Sequence, residues 1–225
     1  MDVEISHGPG NSFAHLRLAP GETAVSEGGA MISMSADVGI ETTTHSRGGG
    51  GIMKGLKRML TGESFFVNKF TAGAQGGEVR VAATLAGDMT MLELSGARFI
   101  VQSGAFVAAE DSVKMDLSWQ GFKTLFAKEG LFWINLSGSG KIVINSFGAI
   151  YPIDIDGEHI VDTGHIVAFE ETLNFKLSKA GGSWVSSFLG GEGLVCRFSG
   201  RGRVWCQSHN PSAFGRILGP KLRPR

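Results

Sequence analysis

Histidines and carboxylates are the side chains of this sequence best suited to chemistry, and His159, His165 and Glu170 form their tightest group. A metal site would need two or three such groups to converge at about 2.0–2.2 Å from one ion. The six histidines are scattered, and no His-x-His pair occurs. We therefore expect these three residues to have structural or surface roles, and we predict neither a metal nor a cofactor.

Nucleophilic catalysis finds no better support, because the sequence contains no Gly-x-Ser-x-Gly elbow. The serines that lie closest to glycines belong instead to two similar segments, Leu136–Gly140 and Phe198–Gly202. A Gly-x-Gly core followed by a β-prone run is typical of a hairpin. We predict hairpin turns at both places and no catalytic residues, so the protein is not expected to be an enzyme.

The two cysteines, Cys196 and Cys206, are equally far along the chain from Arg201. A hairpin centred on Arg201 would place them opposite each other, about 4.5–5.5 Å apart. A disulfide scaffold is not expected with two cysteines in a chain of this length. The prediction is a buried pair of reduced thiols, with a redox switch as the alternative.

A glycine run followed by lysines, Arg47–Leu60, is the most distinctive local segment. It is not a phosphate-binding loop, because the only Gly-Lys, at Gly140-Lys141, is followed by Ile142. The segment is predicted to be a short amphipathic helix. It either covers the end of a β unit, as weaker counterparts at 119–126 and 183–189 would, or docks on a membrane surface or partner. The proposed contact residues are Lys54, Leu56, Lys57 and Arg58.

The overall composition argues against a highly charged binding partner. Lysine plus arginine equals aspartate plus glutamate, at 21 each, so nucleic acid is an unlikely partner. The one asymmetry is the tail from His209 to Arg225, which carries no acid. We predict a solvated basic tail over 209–225. Its candidate contact residues are Arg216, Lys221, Arg223 and Arg225.

The N-terminal residues and the hydropathy of the chain predict a cytoplasmic protein. The start, Met1–Glu4, is acidic and lacks the basic and apolar regions of an export signal. No apolar run approaches the roughly 18 residues of a spanning helix.

Three segments of the chain align without gaps: 27–40, 102–115 and 162–175. They share a glycine, at Gly29, Gly104 and Gly164, which predicts a positive φ or a close backbone approach at that place. Apolar residues coincide at the columns Met31/Phe106/Ile166, Ile32/Val107/Val167 and Val38/Val113/Leu173. From Val38 onward the columns Ile40/Met115/Phe175 and Thr42/Leu117/Leu177 continue at a spacing of two, the period of a strand with one buried face.

The alignment extends to three units of about five short strands each, at about 11–82, 83–144 and 145–208. With 34 glycines and 6 prolines, many tight turns are expected. We predict a mostly β protein, a sandwich- or barrel-like assembly of three repeats with short helical turns. It forms one domain over 1–208, with its units closed around a pseudo-threefold axis.

The order and spacing of several motifs resemble a known family. These are Gly28–Met31, Leu60–Phe66, Phe99–Gly104, Val161–Phe169 and the turns at Gly138–Gly140 and Gly200–Gly202. Together they resemble bacterial members of the altered inheritance of mitochondria protein 24 family. The resemblance implies a repeated β-sandwich similar to the ring-forming trp RNA-binding attenuation protein. It supplies no catalytic residues.

These observations favour a non-enzymatic oligomeric scaffold or adaptor, with a trimer as the favoured homo-oligomer and a protein or membrane surface as a possible partner. Two alternatives stay open. One is an RNA-binding ring that uses Arg201, Arg203 and the basic tail, although a neutral chain with one tyrosine is poorly suited to it. The other is a small-ligand binder.

Overall fold

A computed structural model describes residues 1–46, 64–117, 132–179 and 194–222. The Arg47–Leu60 segment, with its candidate contacts Lys54, Leu56, Lys57 and Arg58, lies outside these ranges. So do the related segments at 119–126 and 183–189, and Arg223 and Arg225 of the tail.

The described residues are mostly β, which confirms the predicted class. The strands within the first predicted unit and before it are β1 (Asp2–Ser6), β2 (Phe13–Leu18), β3 (Thr23–Glu27), β4 (Met31–Met34), β5 (Gly39–Ser46), β6 (Ser64–Thr71) and β7 (Gly77–Val81). The second unit contains β8 (Met89–Ser95), β9 (Phe99–Gln102), β10 (Phe106–Glu110), β11 (Val113–Asp116) and β12 (Trp133–Asn145). The third contains β13 (Ile150–Asp162), β14 (Ile166–Glu170), β15 (Asn174–Lys179) and β16 (Leu194–Gln207). Helix α1 (Pro211–Leu218) follows, and short 3-10 turns occupy Ser103–Ala105, Thr163–His165 and Gly219–Lys221.

The strands pair antiparallel in a recurring order. One six-strand series runs β8-β12-β10-β3-β6-β5, and a second runs β13-β16-β14-β9-β12-β11. Two shorter series also occur. One is β1-β2-β7-β4, and the other is β13-β16-β15, which uses the second half of β13 and the first half of β16. Neighbouring units are joined by two strand pairs, β10 with β3 and β14 with β9.

The glycine-rich segments predicted as hairpins lie inside long strands, so that prediction is wrong. The first half of β12 pairs with β9 and β11, and its second half pairs with β8 and β10. Gly138 and Gly140 lie at the changeover, with φ of +104° and +143°. A Cβ on Gly140 would lie 2.8 Å from Glu110 Oε2. Glycine here lets the strand bend from one sheet into the next instead of reversing. The local sequence pattern is the same for a bend and for a reversal.

The same correction applies to the cysteines, because both belong to the single strand β16. Cys196 lies opposite Val161 and Leu177, whereas Cys206 lies opposite Tyr151 and Ile166. The predicted thiol pair therefore does not form. Both thiols are free and buried, and burial raises the pKa of each to about 12, which makes them poor nucleophiles at neutral pH.

A β-bulge recurs at the aligned columns. The register shifts after Met31 in the β4–β7 pair, after Phe106 in the β10–β12 pair and after Ile166 in the β14–β16 pair. The aligned glycine just before each bulge has the expected positive φ at Gly29 (+92°) and the expected close approach at Gly164, where a Cβ would lie 2.1 Å from Asn210 Nδ2. Gly104 shows neither.

Each of the three apolar clusters of the core crosses a junction between predicted units. The largest joins Val25 and Val67 to residues of β9, β10 and β12 and to Val167. A second joins Leu16 and Phe70 to Val107 and Val143. The third is centred on β14 and β16 and also takes in Ile100 and Trp133. The central strands β10 and β14 are buried along almost their whole length, because they have a paired strand on each edge and packed residues on each face.

The first half of the C-terminal tail forms helix α1, and all residues of this helix are partly or fully exposed to solvent. Asn210 caps α1 by accepting a hydrogen bond from Ala213 N–H at 3.1 Å, and Pro211 occupies the first helical position. The Phe214 ring packs edge-on against Phe147, 5.3 Å away. The side-chain cap, the proline and this ring contact all favour a helix at this place.

Candidate functional site

The structure does not bring the predicted chemistry-bearing residues together. His165 Nδ1 lies 2.8 Å from Gln207 O, and Glu170 Oε2 accepts the Arg203 backbone N–H at 3.0 Å. His159 lies on β13, opposite Phe198. Within the described part of the chain, no group of three metal-ligating side chains is found.

A charged cleft of about 500 Å³ lies between β13, β14 and β16. It is lined by the carboxylates of Asp154, Asp156 and Glu170 and by Arg201 and Arg203. The Arg203 Nε donates to Asp154 Oδ1 at 2.6 Å, and this hydrogen bond raises the pKa of the guanidinium. Its guanidinium also lies 5.8 Å from the centre of the Trp205 ring. Because three acids face two arginines and Asp154 pairs with Arg203, the cleft is poorly suited to a phosphate or an RNA backbone.

Helix α1 presents an apolar surface to solvent. Ile217 is 67% exposed and Leu222 is 61% exposed, and Phe214 and Leu218 are partly exposed beside them. Arg216 and Lys221 of the predicted basic tail lie here and are exposed. No helix in the described ranges is both long and apolar enough to cross a bilayer.

The edge strand β4 carries a second exposed apolar surface. Met31 is 39% exposed and Ile32 is 54% exposed. The residues in the same aligned columns are Phe106 and Val107 on β10 and Ile166 and Val167 on β14, and all four are at most 1% exposed. The difference arises because β10 and β14 each pair with a strand of the preceding unit, whereas the only strand paired with β4 in the described ranges is β7.

The second half of β13 is the opposite edge. Ile160 is 48% exposed, whereas the aligned Ile100 is 0% and Val25 is 7% exposed. Both aligned residues lie on strands that pair with the following unit, β9 with β14 and β3 with β10. In the described ranges β13 pairs with β16 alone. We call β4 and the segment 158–162 of β13 the two open edges.

Glu27 lies at the end of β3, where a tight turn leads to the β4 open edge. The turn is held by Gly28 N–H donating to Phe66 O at 2.8 Å and by Ala30 N–H donating to Glu27 O at 3.2 Å. Burial raises the pKa of the Glu27 carboxyl to about 7. Ionisation of Glu27 near neutral pH therefore places a negative charge that water solvates poorly beside this edge.

The sequence contained the signal for the open edges but could not identify them. Alignment already placed Met31 and Ile32 in apolar columns, and Ile160 continues the same pattern. Whether such a residue is covered depends on a neighbouring strand far away in sequence. The sequence-based candidates concentrated on charge and missed these apolar positions.

Comparison with known proteins points to one family. The family model described as "Mitochondrial biogenesis AIM24" matches residues 3–209. The chain is 30% identical over 212 residues to the uncharacterized protein M6_Spy0233 of Streptococcus pyogenes serotype M6, covering 92% of this chain and 85% of that protein. It is also similar to the crystal structure of protein SPYM3_0169 from Streptococcus pyogenes, with a TM-score of 0.79, 26% identity and coverage of 98% of this chain and 99% of that one.

Proposed function

This chain belongs to the Mitochondrial biogenesis AIM24 family, and from that premise we propose that it is a non-enzymatic, oligomeric scaffold or adaptor. The observation that carries this proposal is the pair of open edges. Sheet edges with exposed apolar side chains invite strand pairing with another chain, and natural monomers usually block them with charge, proline or a covering element. Here Met31, Ile32 and Ile160 are left uncovered.

The proposal includes an architecture of three copies of one unit, similar in fold to the trp RNA-binding attenuation protein. It is supported by the identical bulge after Met31, Phe106 and Ile166 and by the recurring order of strand pairs. Such units cannot bury their apolar faces alone, so they stack on their neighbours. Assembly of whole chains would extend the stacking that already joins units within one chain.

We expect the purified full chain to be an oligomer in solution. Light scattering coupled to size-exclusion chromatography should give an integral multiple of 23.8 kDa, and the trimer that we favour would have about three times that mass. The assembly should persist in high salt, because the open edges are apolar. A mass of 23.8 kDa at every protein concentration would contradict the proposal.

A second candidate function, docking to an anionic membrane surface, is favoured by one observation. Helix α1 and the 3-10 turn after it combine exposed Ile217, Leu218 and Leu222 with Arg216 and Lys221, and no acid occurs between His209 and Arg225. A helix that is apolar on one side and basic on the other can insert its apolar side between headgroups, and each nearby cation adds roughly 1 kcal/mol on an anionic surface.

For this candidate we expect the protein to float with vesicles containing phosphatidylglycerol and not with vesicles of phosphatidylcholine alone. The double variant Ile217→Ser/Leu222→Ser should lower the bound fraction several-fold. The variant Lys54→Glu/Lys57→Glu/Arg58→Glu tests the segment suggested by the sequence instead, and Met91→Ser on β8 serves as a control that should bind like wild type. Equal recovery of wild type and the helix variant would refute docking through α1.

The RNA-binding ring and the small-ligand binder remain the weaker alternatives. Arg203 is engaged by Asp154, and the cleft around it is acidic in balance. An RNA-binding ring would instead lose affinity steeply between roughly 50 and 200 mM salt, which a gel shift with single-stranded RNA would reveal.

A further inference from the structure

We infer that strand β4 of one copy pairs antiparallel with β13 of a second copy, with Ser33 opposite Val161 and Met34 opposite Ile160. This inference rests on the proposed oligomeric function and gives it a specific interface. It joins the two open edges to each other, so that each copy uses one edge of each kind.

The register follows from the two junctions within the chain. Where β10 meets β3, Ala108 lies opposite Ser26 and Ala109 lies opposite Val25. Where β14 meets β9, the corresponding pairs are Ala168 with Val101 and Phe169 with Ile100. The two junctions therefore use the same aligned columns in the same register.

The same aligned columns in the first and third units lie on the two open edges. The column of Ala108 and Ala168 contains Ser33 on β4, and the column of Ser26 and Val101 contains Val161 on β13. The bulge that precedes Ala108 and Ala168 also precedes Ser33. The backbone of β4 is thus already shaped like the two strands that make this junction.

Sheet order gives independent support. The two complete series, β8-β12-β10-β3-β6-β5 and β13-β16-β14-β9-β12-β11, each join three strands of one unit to three strands of its neighbour. The chain contains two remaining half-series, β2-β7-β4 and β13-β16-β15. Pairing β4 with β13 would combine them into a third series of the same order.

Side-chain packing at the internal junctions shows what the exposed residues would contact. Val25 packs into the cluster that is built mainly from the second unit, and Ile100 packs into the cluster that is built mainly from the third. By the same relation, Ile160 would pack against the first unit of the next copy. Val107 and Val167 pack in the reverse direction, against the preceding unit, so Ile32 would pack against the third unit of the previous copy.

A second copy fits these edges better than an unrelated strand, because the two edges complement each other in register, bulge and apolar side chains. They lie on different strands and so form a head-to-tail contact between copies. Repetition of a head-to-tail contact closes into a ring when the rotation per copy permits it, and a closed ring leaves no open edge.

Site-specific disulfide formation between two single-cysteine variants tests the interface. Ser33→Cys and Val161→Cys proteins are mixed, allowed to exchange and oxidised mildly. Opposed Cα atoms in an antiparallel pair are about 4.5–5.5 Å apart, which a disulfide can span. We expect a covalent dimer that reductant reverses. The native cysteines are buried and weakly acidic, so they should contribute little background.

The matched control is the mixture of Ser33→Cys with His159→Cys, which is displaced by two residues along the same strand. Diagonal pairs lie about 7–8 Å apart, so its yield at equal time should be at least tenfold lower. Each variant oxidised alone should also give little dimer.

The remaining outcomes separate the register from the function. If the wild type is oligomeric but the Ser33/Val161 mixture gives no more dimer than the displaced control, the inferred interface is wrong and the scaffold proposal stands. If the double variant Ser33→Cys/Val161→Cys cross-links only within one chain, the edges close internally and the interface between copies is overturned. A monomeric wild type would overturn the proposed function together with this inference.

Discussion

Replacing Ile160 with glutamate is expected to dissociate the oligomer into folded monomers. Ile160 is about half exposed in the single chain, so a charge there remains hydrated in the monomer. In the inferred interface the same carboxylate would be enclosed among apolar side chains without a partner, which costs several kcal/mol. We expect the dissociation constant to rise at least about 100-fold, equivalent to roughly 2.7 kcal/mol.

Light scattering for mass and circular dichroism for folding measure this effect directly. Ile40→Glu is the control, because Ile40 is similarly exposed, at 41%, but lies on β5 at the far edge of a complete series. It should leave the oligomer intact. An Ile160→Glu protein that remains oligomeric at micromolar concentration, or an Ile40→Glu protein that dissociates equally, would contradict the interface.

Replacing Glu27 with glutamine is expected to stabilise the fold at alkaline pH and to leave it unchanged in acid. The folded-state pKa of about 7 exceeds the ordinary value of 4.5, so the folded chain holds this proton more tightly than the unfolded chain. Stability due to this group is therefore complete below pH 4.5 and is lost as pH rises through 7. Glutamine has nearly the same shape and no charge to desolvate, and the aligned Gln102 is accommodated while buried.

Urea unfolding at pH 4.5 and pH 8 measures this effect. The gain for Glu27→Gln should reach up to about 3 kcal/mol at pH 8 and vanish at pH 4.5, following 1.36 kcal/mol for each pKa unit. Glu41→Gln is the control, because Glu41 is exposed on β5, and it should change stability by less than about 0.5 kcal/mol at either pH. An equal gain at both pH values would show that the carboxyl is not held protonated by burial.

Local pattern was sufficient to predict the class of the fold. Apolar residues spaced by two, as in Val113/Met115 and Leu173/Phe175, describe strands with one face toward a core, and that periodicity does not depend on distant contacts. The motifs that resemble the family lie in these same strands, and the family match over residues 3–209 confirms the resemblance.

The glycine-rich segments at 136–140 and 198–202 have an unusual backbone, but they are not the hairpins that the sequence predicts. Gly138, Gly140 and Gly200 have positive φ, as their residue type allows. A positive φ occurs both where a strand reverses and where it bends into a second sheet. The choice between them depends on which strands lie alongside, and the error in placing Cys196 opposite Cys206 followed from that ambiguity.

Helix α1 illustrates a related limit. The absence of acids after His209 predicts an exposed basic tail; residues 211–218 are partly or fully exposed but also helical, which that charge pattern does not indicate. The Phe147 ring against which Phe214 packs lies 67 residues earlier in the chain, so its contribution to ordering the helix could not be read from the tail itself.

The sequence by itself determined that this is a mostly β chain of the AIM24 family, and its aligned columns showed which positions are apolar in every unit. Only the tertiary structure decided which of those columns are covered. Met31, Ile32 and Ile160 are as apolar as their buried counterparts but are exposed. The reason is that burial depends on whether a neighbouring strand covers the residue, and not on the residue type. Those counterparts are paired with a neighbouring unit, whereas the two open edges have no such pairing within the residues that the structure describes. That difference directs the search for this protein's function to its edges.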